Sequence, residues 1–253
     1  MHATWSFAPT PTAVANLRAE GIADGVHLVG DLMQDLAARV SREVRDPTVL
    51  AGIAEALAPE APGLAPAPDA PGLLLVPGGY VLATIHRAEN RDPAAIRAWL
   101  AILEAAALGG TRPVVLPLHP GTREAVGASG APIPAGVRVV SPLEYRTTLA
   151  LQLHAAAVLT DSGGIQREAA WLGTPCLVLR RTTEWVEAVA GSGGSMVVTG
   201  LDAERAAAEL DRLAAPDRAP ALAAARAREV DVPPSGAAEA IAAALADDGT
   251  RRR

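Results

Sequence analysis

From Tyr80 onward the chain alternates short aliphatic runs with longer stretches of helical spacing, and that alternation leaves few folds open. Strands are predicted over 80–85, 113–118, 137–140, 157–160, 175–179 and 195–198, with helices between them over 93–108, from Thr122, and over 143–154, 164–172 and 184–189. A helical crossover returns the chain to the same end of the sheet, so successive strands run parallel and the crossovers are right-handed. Parallel strands need cover on both faces. The expected fold class is therefore α/β, a doubly wound, mostly parallel sheet with helices on both faces. Half of the residues are hydrophobic but only 3% are aromatic. Ala, Leu and Val thus supply most of the apolar surface, which suits helices packed on a sheet better than a β-sandwich.

The first seventy residues repeat the same grammar. A strand end at 6–9 leads into a helix that Thr10 caps, Pro11 opens and Gly21 stops after Glu20. A second strand is expected at 26–29. The helix expected at 31–45 carries Leu32, Leu36, Val40 and Val44 on one face, and another helix is expected at 47–57. Prolines 59, 62, 66, 68 and 71 withhold amide donors and make 59–72 a surface loop. The tail adds Ala-rich amphipathic helices at 203–213, 220–228 and 236–246.

Charge and cysteine content narrow the function classes. The 28 acidic and 22 basic side chains give a formal charge of -6. That balance argues against nucleic acid or an anionic membrane surface as partner, since both reward a clustered basic face. Cys176 is the only cysteine and sits in an apolar run, so no internal disulfide forms, no thiolate metal site is available, and a buried inert thiol is expected. No apolar stretch reaches the ~20 residues that span a bilayer, and the first residues lack the order of a signal peptide. A cytoplasmic protein is expected.

Ligands of doubly wound sheets bind beyond the carboxyl ends of the strands, which directs attention to three loops. In Asp161-Ser162-Gly163-Gly164 a strand meets two glycines and then a helix. Glycines let a diphosphate approach the backbone, and the free amides and dipole of the helix N-terminus stabilise its charge. Glu168, one turn on, is placed to accept hydrogen bonds from ribose hydroxyls. The same residues also suit a plain Ser-Gly-Gly turn with an acid favoured by the helix dipole. The loop His86-Arg87-Ala88-Glu89-Asn90 brings a titratable ring and two charges to a strand end, or else an ordinary surface pair beside a loop histidine. In the third, Arg180-Arg181-Thr182-Thr183-Glu184-Trp185, Arg180 is within reach of a phosphate, or the segment is only a solvated helix start. His119 closes a fourth strand at the same edge.

Read together, 84–90 (Thr-Ile-His-Arg-Ala-Glu-Asn), Pro117-Leu118-His119-Pro120, 159–169 around Asp161-Ser162-Gly163-Gly164, and Arg180-Arg181-Thr182-Thr183-Glu184 resemble, in order and spacing, the motif series of non-hydrolysing UDP-N-acetylglucosamine 2-epimerases. The resemblance implies a two-domain fold like that of GT-B glycosyltransferases, with UDP held by the C-terminal domain. Ser162, Gly163 and Gly164 would bind the diphosphate, with Arg180 joining that grip, and Glu168 would hold the ribose. His86 would face the catalytic cleft, while Arg87, Glu89 and His119 match positions that contact a second, activating UDP-GlcNAc. The family reaction removes the proton at C2, expels UDP to leave a 2-acetamidoglucal, and re-adds UDP with a proton on the other face, without cofactor or metal. The match begins at Trp5-Ser6-Phe7-Ala8-Pro9-Thr10, near the middle of relatives, so the first domain and its proton-transfer carboxylates are expected to be missing. On this reading residues 1–72 remain from the inter-domain region, 73–232 form a Rossmann-like UDP-sugar domain, and 233–253 are a closing helix and tail. UDP binding with little or no epimerisation is expected, in a homodimer or with a separate N-terminal-half chain. A UDP-sugar binding module and a GT-B glycosyltransferase are the alternatives. Trp185 stands where some relatives have Arg, some carry Arg or Asn near Gly121, and Leu143 and Thr148 replace Gln and Phe around the uracil.

Overall fold

The computed structural model describes residues 5–57, 75–108, 111–214, 232 and 234–251. The chain divides into two compact units, residues 1–42 with 231–253, and residues 43–230. The expectations for a loop at 59–72 and a helix at 220–228 fall outside the described residues.

The first unit holds β1 (Ser6–Ala8), α1 (Pro11–Ala19), β2 (Val26–Leu28), all but the last residue of α2 (Leu32–Glu43), and α10 (Ala237–Arg251). Strands β1 and β2 pair parallel, Phe7 opposite His27. Thr10 Oγ1 accepts the Ala13 amide at 3.1 Å and Pro11 fills the first helical turn, where its missing N–H costs nothing. Asp35 closes the N-terminus of α10: its carboxylate accepts the amides of Gly236 at 3.0 Å and Ala238 at 3.2 Å and the Ser235 hydroxyl at 2.8 Å.

The second unit is built on α3 (Val49–Ala56), β3 (Val81–Thr84), α4 (Pro93–Ala106), β4 (Val114–Pro117), α5 (Pro120–Ser129) and β5 (Val137–Val140). It continues with α6 (Tyr145–His154), β6 (Ala157–Thr160), α7 (Gly163–Leu172), β7 (Cys176–Val178), α8 (Val186–Gly191), β8 (Met196–Val198) and α9 (Ala203–Ala214). Six parallel strands form one sheet in the order β5-β4-β3-β6-β7-β8. The strand period of two sorts side chains between two cores. Val81, Ala83, Leu116, Leu159 and Leu177 pack with Ile96, Trp99 and Leu210 of α4 and α9. Leu82, Val115, Val158 and Val178 pack on the other face with Leu50, Leu151 and Ala169 of α3, α6 and α7. Every one of these strand residues is buried, which is why the runs read as continuously aliphatic rather than alternating.

Most element boundaries agree with the sequence within two or three residues. Helix α5 starts at Pro120, ahead of the expected Thr122, because proline is pre-set for the first helical position. Helix α8 starts at Val186, later than Glu184, because Thr183 Oγ1 takes the Trp185 amide at 3.1 Å and keeps that segment in a turn. No helix among the described residues is long and apolar enough to cross a membrane.

Candidate functional site

The strand order fixes where the site lies. From β3 the chain winds outward through β4 to β5, then crosses back to β6 on the other side of β3 and continues to β8. The β3/β6 boundary is therefore the topological switch point, where loops diverge and leave a crevice at the carboxyl ends of the strands. Thr84 lies opposite Thr160 across it, their hydroxyl oxygens 2.6 Å apart, and Thr160 Oγ1 accepts the Ser162 amide at 2.9 Å.

Asp161 follows directly and locks the two loops together. Its side chain is fully buried. Oδ2 accepts Asn90 Nδ2 at 2.8 Å, the Arg87 amide at 3.0 Å and the His86 amide at 3.2 Å, while Oδ1 lies 3.1 Å from His86 Nδ1. Burial pushes the Asp161 carboxyl up, but the hydrogen bonds from His86, Arg87 and Asn90 outweigh it and hold it below the ordinary value. The same hydrogen bond raises His86 above the ordinary imidazole value and leaves the ring half-exposed at the crevice. With Nδ1 facing the carboxylate, Nε2 is the nitrogen presented outward. Arg87 Nε donates back to the Asp161 carbonyl at 2.9 Å, Arg91 to the His86 carbonyl at 2.9 Å, and Trp99 Nε1 to the Asn90 carbonyl at 3.0 Å. The histidine loop is thus pinned from three sides.

Helix α7 opens at Gly163 with Ser162 as N-cap, and no side chain caps its first turn. Its first amides have no intrahelical acceptor and, with the helix dipole, favour an anion there. The surrounding side chains supply one. A Cβ on Gly163 would collide with the Glu184 carboxylate, which Arg180 Nη1 holds at 2.5 Å and Arg87 approaches at 3.8 Å. Burial alone would push the Glu184 carboxyl up, yet its own amide and the Arg180 guanidinium hold it below the ordinary value. The helix N-terminus, two arginines and a glycine-sized gap therefore converge on one carboxylate.

Glu168 lies one turn into α7 and is buried. Gln152 Nε2 of α6 donates to it at 2.5 Å, and the Tyr145 hydroxyl faces the same carboxylate without hydrogen-bond geometry. Burial raises the Glu168 carboxyl, opposed by these two neighbours. Burial also raises the Tyr145 phenol, together with the nearby Glu168 charge. Close by, Leu143 and Glu144 line a cavity of about 400 Å³ with Ile53, Leu57, Val140 and Pro142. A larger cavity of about 830 Å³ is lined by Asn90, Asp92, Arg180, Arg181, Thr182 and Asp202 among others.

Of the residues singled out from sequence, His86, Arg87, Ser162, Gly163, Gly164, Glu168 and Arg180 all lie at the carboxyl ends of β3, β6 and β7. Glu89 is exposed in the 3₁₀ turn Ala88–Asn90, and His119 is exposed as the N-cap of α5 beyond β4. Their loops are neighbours, since Arg91 Nη1 lies 3.1 Å from the position of a Cβ on Gly121. Sequence reasoning gave no role to Asp161 beyond its place in the motif, nor to Glu184 as the anion at α7 or Gln152 as the partner of Glu168. The one available signal for Asp161 was an acid directly after the strand Ala157–Thr160, a position where a carboxylate must find donors. Cys176 is fully buried and its thiol is pushed up to about 12 by that burial. Among the described residues no group of three or more His, Cys, Asp and Glu is placed to hold a metal ion.

Comparison with known proteins gives a consistent picture. A family model described as UDP-N-acetylglucosamine 2-epimerase matches residues 1–245. The UDP-2,3-diacetamido-2,3-dideoxy-D-glucuronate 2-epimerase of Pseudomonas aeruginosa is 34% identical over 200 residues, 78% of this chain and 49% of that protein. The UDP-N-acetylglucosamine 2-epimerase of Escherichia coli O157:H7 is 32% identical over 214 residues, 83% of this chain and 53% of that protein. The crystal structure of UDP-GlcNAc 2-epimerase from Neisseria meningitidis bound to UDP-GlcNAc superposes with a TM-score of 0.72 at 28% identity, covering 97% of this chain and 62% of that one. The chain spans about half the length of the curated relatives it matches.

Proposed function

The chain belongs to the UDP-N-acetylglucosamine 2-epimerase family, and from that premise we propose that its second unit is the nucleotide-holding half of a UDP-sugar 2-epimerase. The observation that carries the reading is the convergence of the α7 N-terminus, Arg180 and Arg87 on an anionic group above Gly163, at the switch point of the sheet. A diphosphate has the charge and the oxygen spacing for that position. Ser162, Gly163, Gly164 and Arg180 bind it, Glu168 takes the ribose hydroxyls, and the base lies against the Leu143 cavity.

In the reaction, loss of the C2 proton leaves an electron pair that forms the C1–C2 double bond as the C1–O bond breaks and UDP leaves with its electrons. Reversal on the other face of C2 gives the epimer. The charge gathering on the leaving diphosphate is what the α7 amides, Arg180 and Arg87 stabilise, because they are oriented before the bond breaks. His86, protonated more readily for its bond to Asp161, holds a proton at Nε2 facing the departing oxygen. It does not by itself supply an acid and a base on both faces of the sugar, and by resemblance the carboxylates that do so lie in the family's other domain. UDP-N-acetylglucosamine and its C2 epimer are the substrates we assign, with Arg87, Glu89 and His119 forming the contact for a second, activating UDP-sugar. A cytoplasmic setting and a homodimer or a separate first-domain chain as partner go with this reading.

Calorimetry with UDP tests it. Binding in the micromolar to low millimolar range is expected, and the absence of detectable heat up to millimolar UDP would overturn the site assignment. For the 253-residue chain alone, little or no exchange of the sugar's C2 proton for deuterium is expected by NMR; rapid exchange would show that these residues suffice for the chemistry.

A further inference from the structure

One hydrogen-bond donor beside Gly163 has no acceptor. The indole Nε1 of Trp185 is buried and unpartnered, whereas the Trp99 indole donates to the Asn90 carbonyl at 3.0 Å. Buried indole N–H groups ordinarily find a partner, and one without it costs free energy until something supplies an acceptor.

The ring is fixed where it stands. The Arg167 guanidinium lies 4.1 Å from its centroid and 4.8 Å from that of Trp171. The Trp185 amide donates to Thr183 Oγ1 at 3.1 Å, and that hydroxyl donates to Gln166 Oε1 at 2.6 Å. Gln166 is itself fully buried in α7, so the indole is tied to the same helix whose N-terminus it faces. Nε1 lies 3.1 Å from the position a Cβ would take on Gly163, and the Glu184 carboxylate crowds that same point, held there by Arg180 at 2.5 Å. An anionic oxygen thus fits above Gly163, with cations on one side and a fixed, unused N–H on the other.

We propose that the Trp185 indole N–H is a ligand of the diphosphate, donating to an oxygen seated above Gly163 where the Glu184 carboxylate now stands. This rests on the nucleotide reading above and adds to it a neutral donor that reads the diphosphate and not the uridine. The geometry also assigns Glu184 a part: its carboxylate gives way when a stronger anion arrives. An aromatic N–H on a stacked ring loses little freedom on engaging the ligand, unlike a flexible cationic side chain.

Two measurements on the full chain decide it. In ¹H–¹⁵N spectra the Trp185 indole resonance, assigned by its loss in Trp185→Phe, is expected to move downfield on addition of UDP and, separately, of inorganic pyrophosphate. By calorimetry Trp185→Phe, which keeps an aromatic ring over Arg167, is expected to weaken both ligands about tenfold, the loss of one hydrogen bond to a charged group. An indole signal that stays in place while UDP binds, or UDP affinity within twofold of wild type in the variant, overturns the role of Trp185 and leaves the nucleotide reading standing. A response to pyrophosphate without any to UDP keeps the indole as an anion ligand and overturns the nucleotide. If wild type binds neither ligand, both fall.

Discussion

Replacing Asp161 with asparagine keeps the shape of the side chain and removes its charge. Three donors converge on Oδ2, from Asn90, Arg87 and His86, and Oδ1 faces His86 Nδ1. If the amide oxygen of the variant keeps the Oδ2 place, those donors retain a weaker, uncharged acceptor, and the amide NH₂ meets His86 Nδ1. That contact is tolerable only when the ring is neutral with its proton on Nε2. A hydrogen bond to a charged group exceeds a neutral one by about 1 kcal/mol, so the variant is expected to lose about 2–4 kcal/mol. For a domain of this size that is roughly 5–12 °C in Tm.

The pH dependence separates this from a packing defect. His86 has a folded value above its ordinary 6.5, so its contribution to stability is fully present below 6.5 and is lost as pH rises through the folded value. Asp161 is held below its ordinary 3.8, so its contribution is present above 3.8 and is lost as pH falls through the folded value. Urea denaturation of wild type should therefore show highest stability from this pair between about pH 4 and 6.5, with a decline above 6.5, and Asp161→Asn should lack both slopes. The His86 titration followed by NMR should have a midpoint above 6.5 in wild type and move down in the variant. Equal midpoints in the two proteins, or a wild-type midpoint at or below 6.5, would refute the coupling of the two loops through this carboxylate.

Three further outcomes are expected. Gly163→Ala places a methyl against the Glu184 carboxylate and the Trp185 indole; the Glu184 tip can move but the fixed indole must yield by a few tenths of an ångström, so stability should fall by about 1 kcal/mol while UDP affinity falls at least about tenfold by calorimetry, and unchanged affinity would contradict a close approach of the ligand to the backbone. Glu168 is raised above its ordinary 4.5 by burial, so its carboxyl contributes stability below 4.5 that is lost as pH rises through the folded value. Glu168→Gln should accordingly raise Tm at pH 7, with the gain shrinking toward pH 4, and at the same time weaken UDP about tenfold; a variant that is destabilised at pH 7 or binds UDP normally counts against the assignment. Cys176, buried with its thiol pushed up to about 12, should react with a disulfide reagent at pH 8 only after denaturant is added, and rapid labelling of the native chain would show that the core opens.

The division between local and long-range information is visible residue by residue. The alternation of aliphatic runs and helical spacing settled that this is an α/β chain, because the periods of strand and helix are written within a few residues of one another. The Thr10-Pro11 helix start was legible for the same reason, since the capping hydroxyl and the amide it accepts lie three residues apart. So was the edge of the sheet at which the polar motifs gather, because each motif follows directly on a strand end. Strand order was not legible. Nothing near Thr84 announces that Thr160, 76 residues on, will lie beside it. Only that pairing brings Asp161 to His86, and makes an acid in a glycine turn the anchor of the loop that follows β3. Glu168 shows the same limit: its place in the first turns of α7 could be read from spacing, but its burial against Gln152 is set by how α6 packs on α7. The sequence by itself determined which elements form and which strand ends carry the polar motifs, through short-range sterics and periodicity. The tertiary structure alone decided which of those ends meet and which charges are buried, because both follow from contacts between residues far apart in the chain.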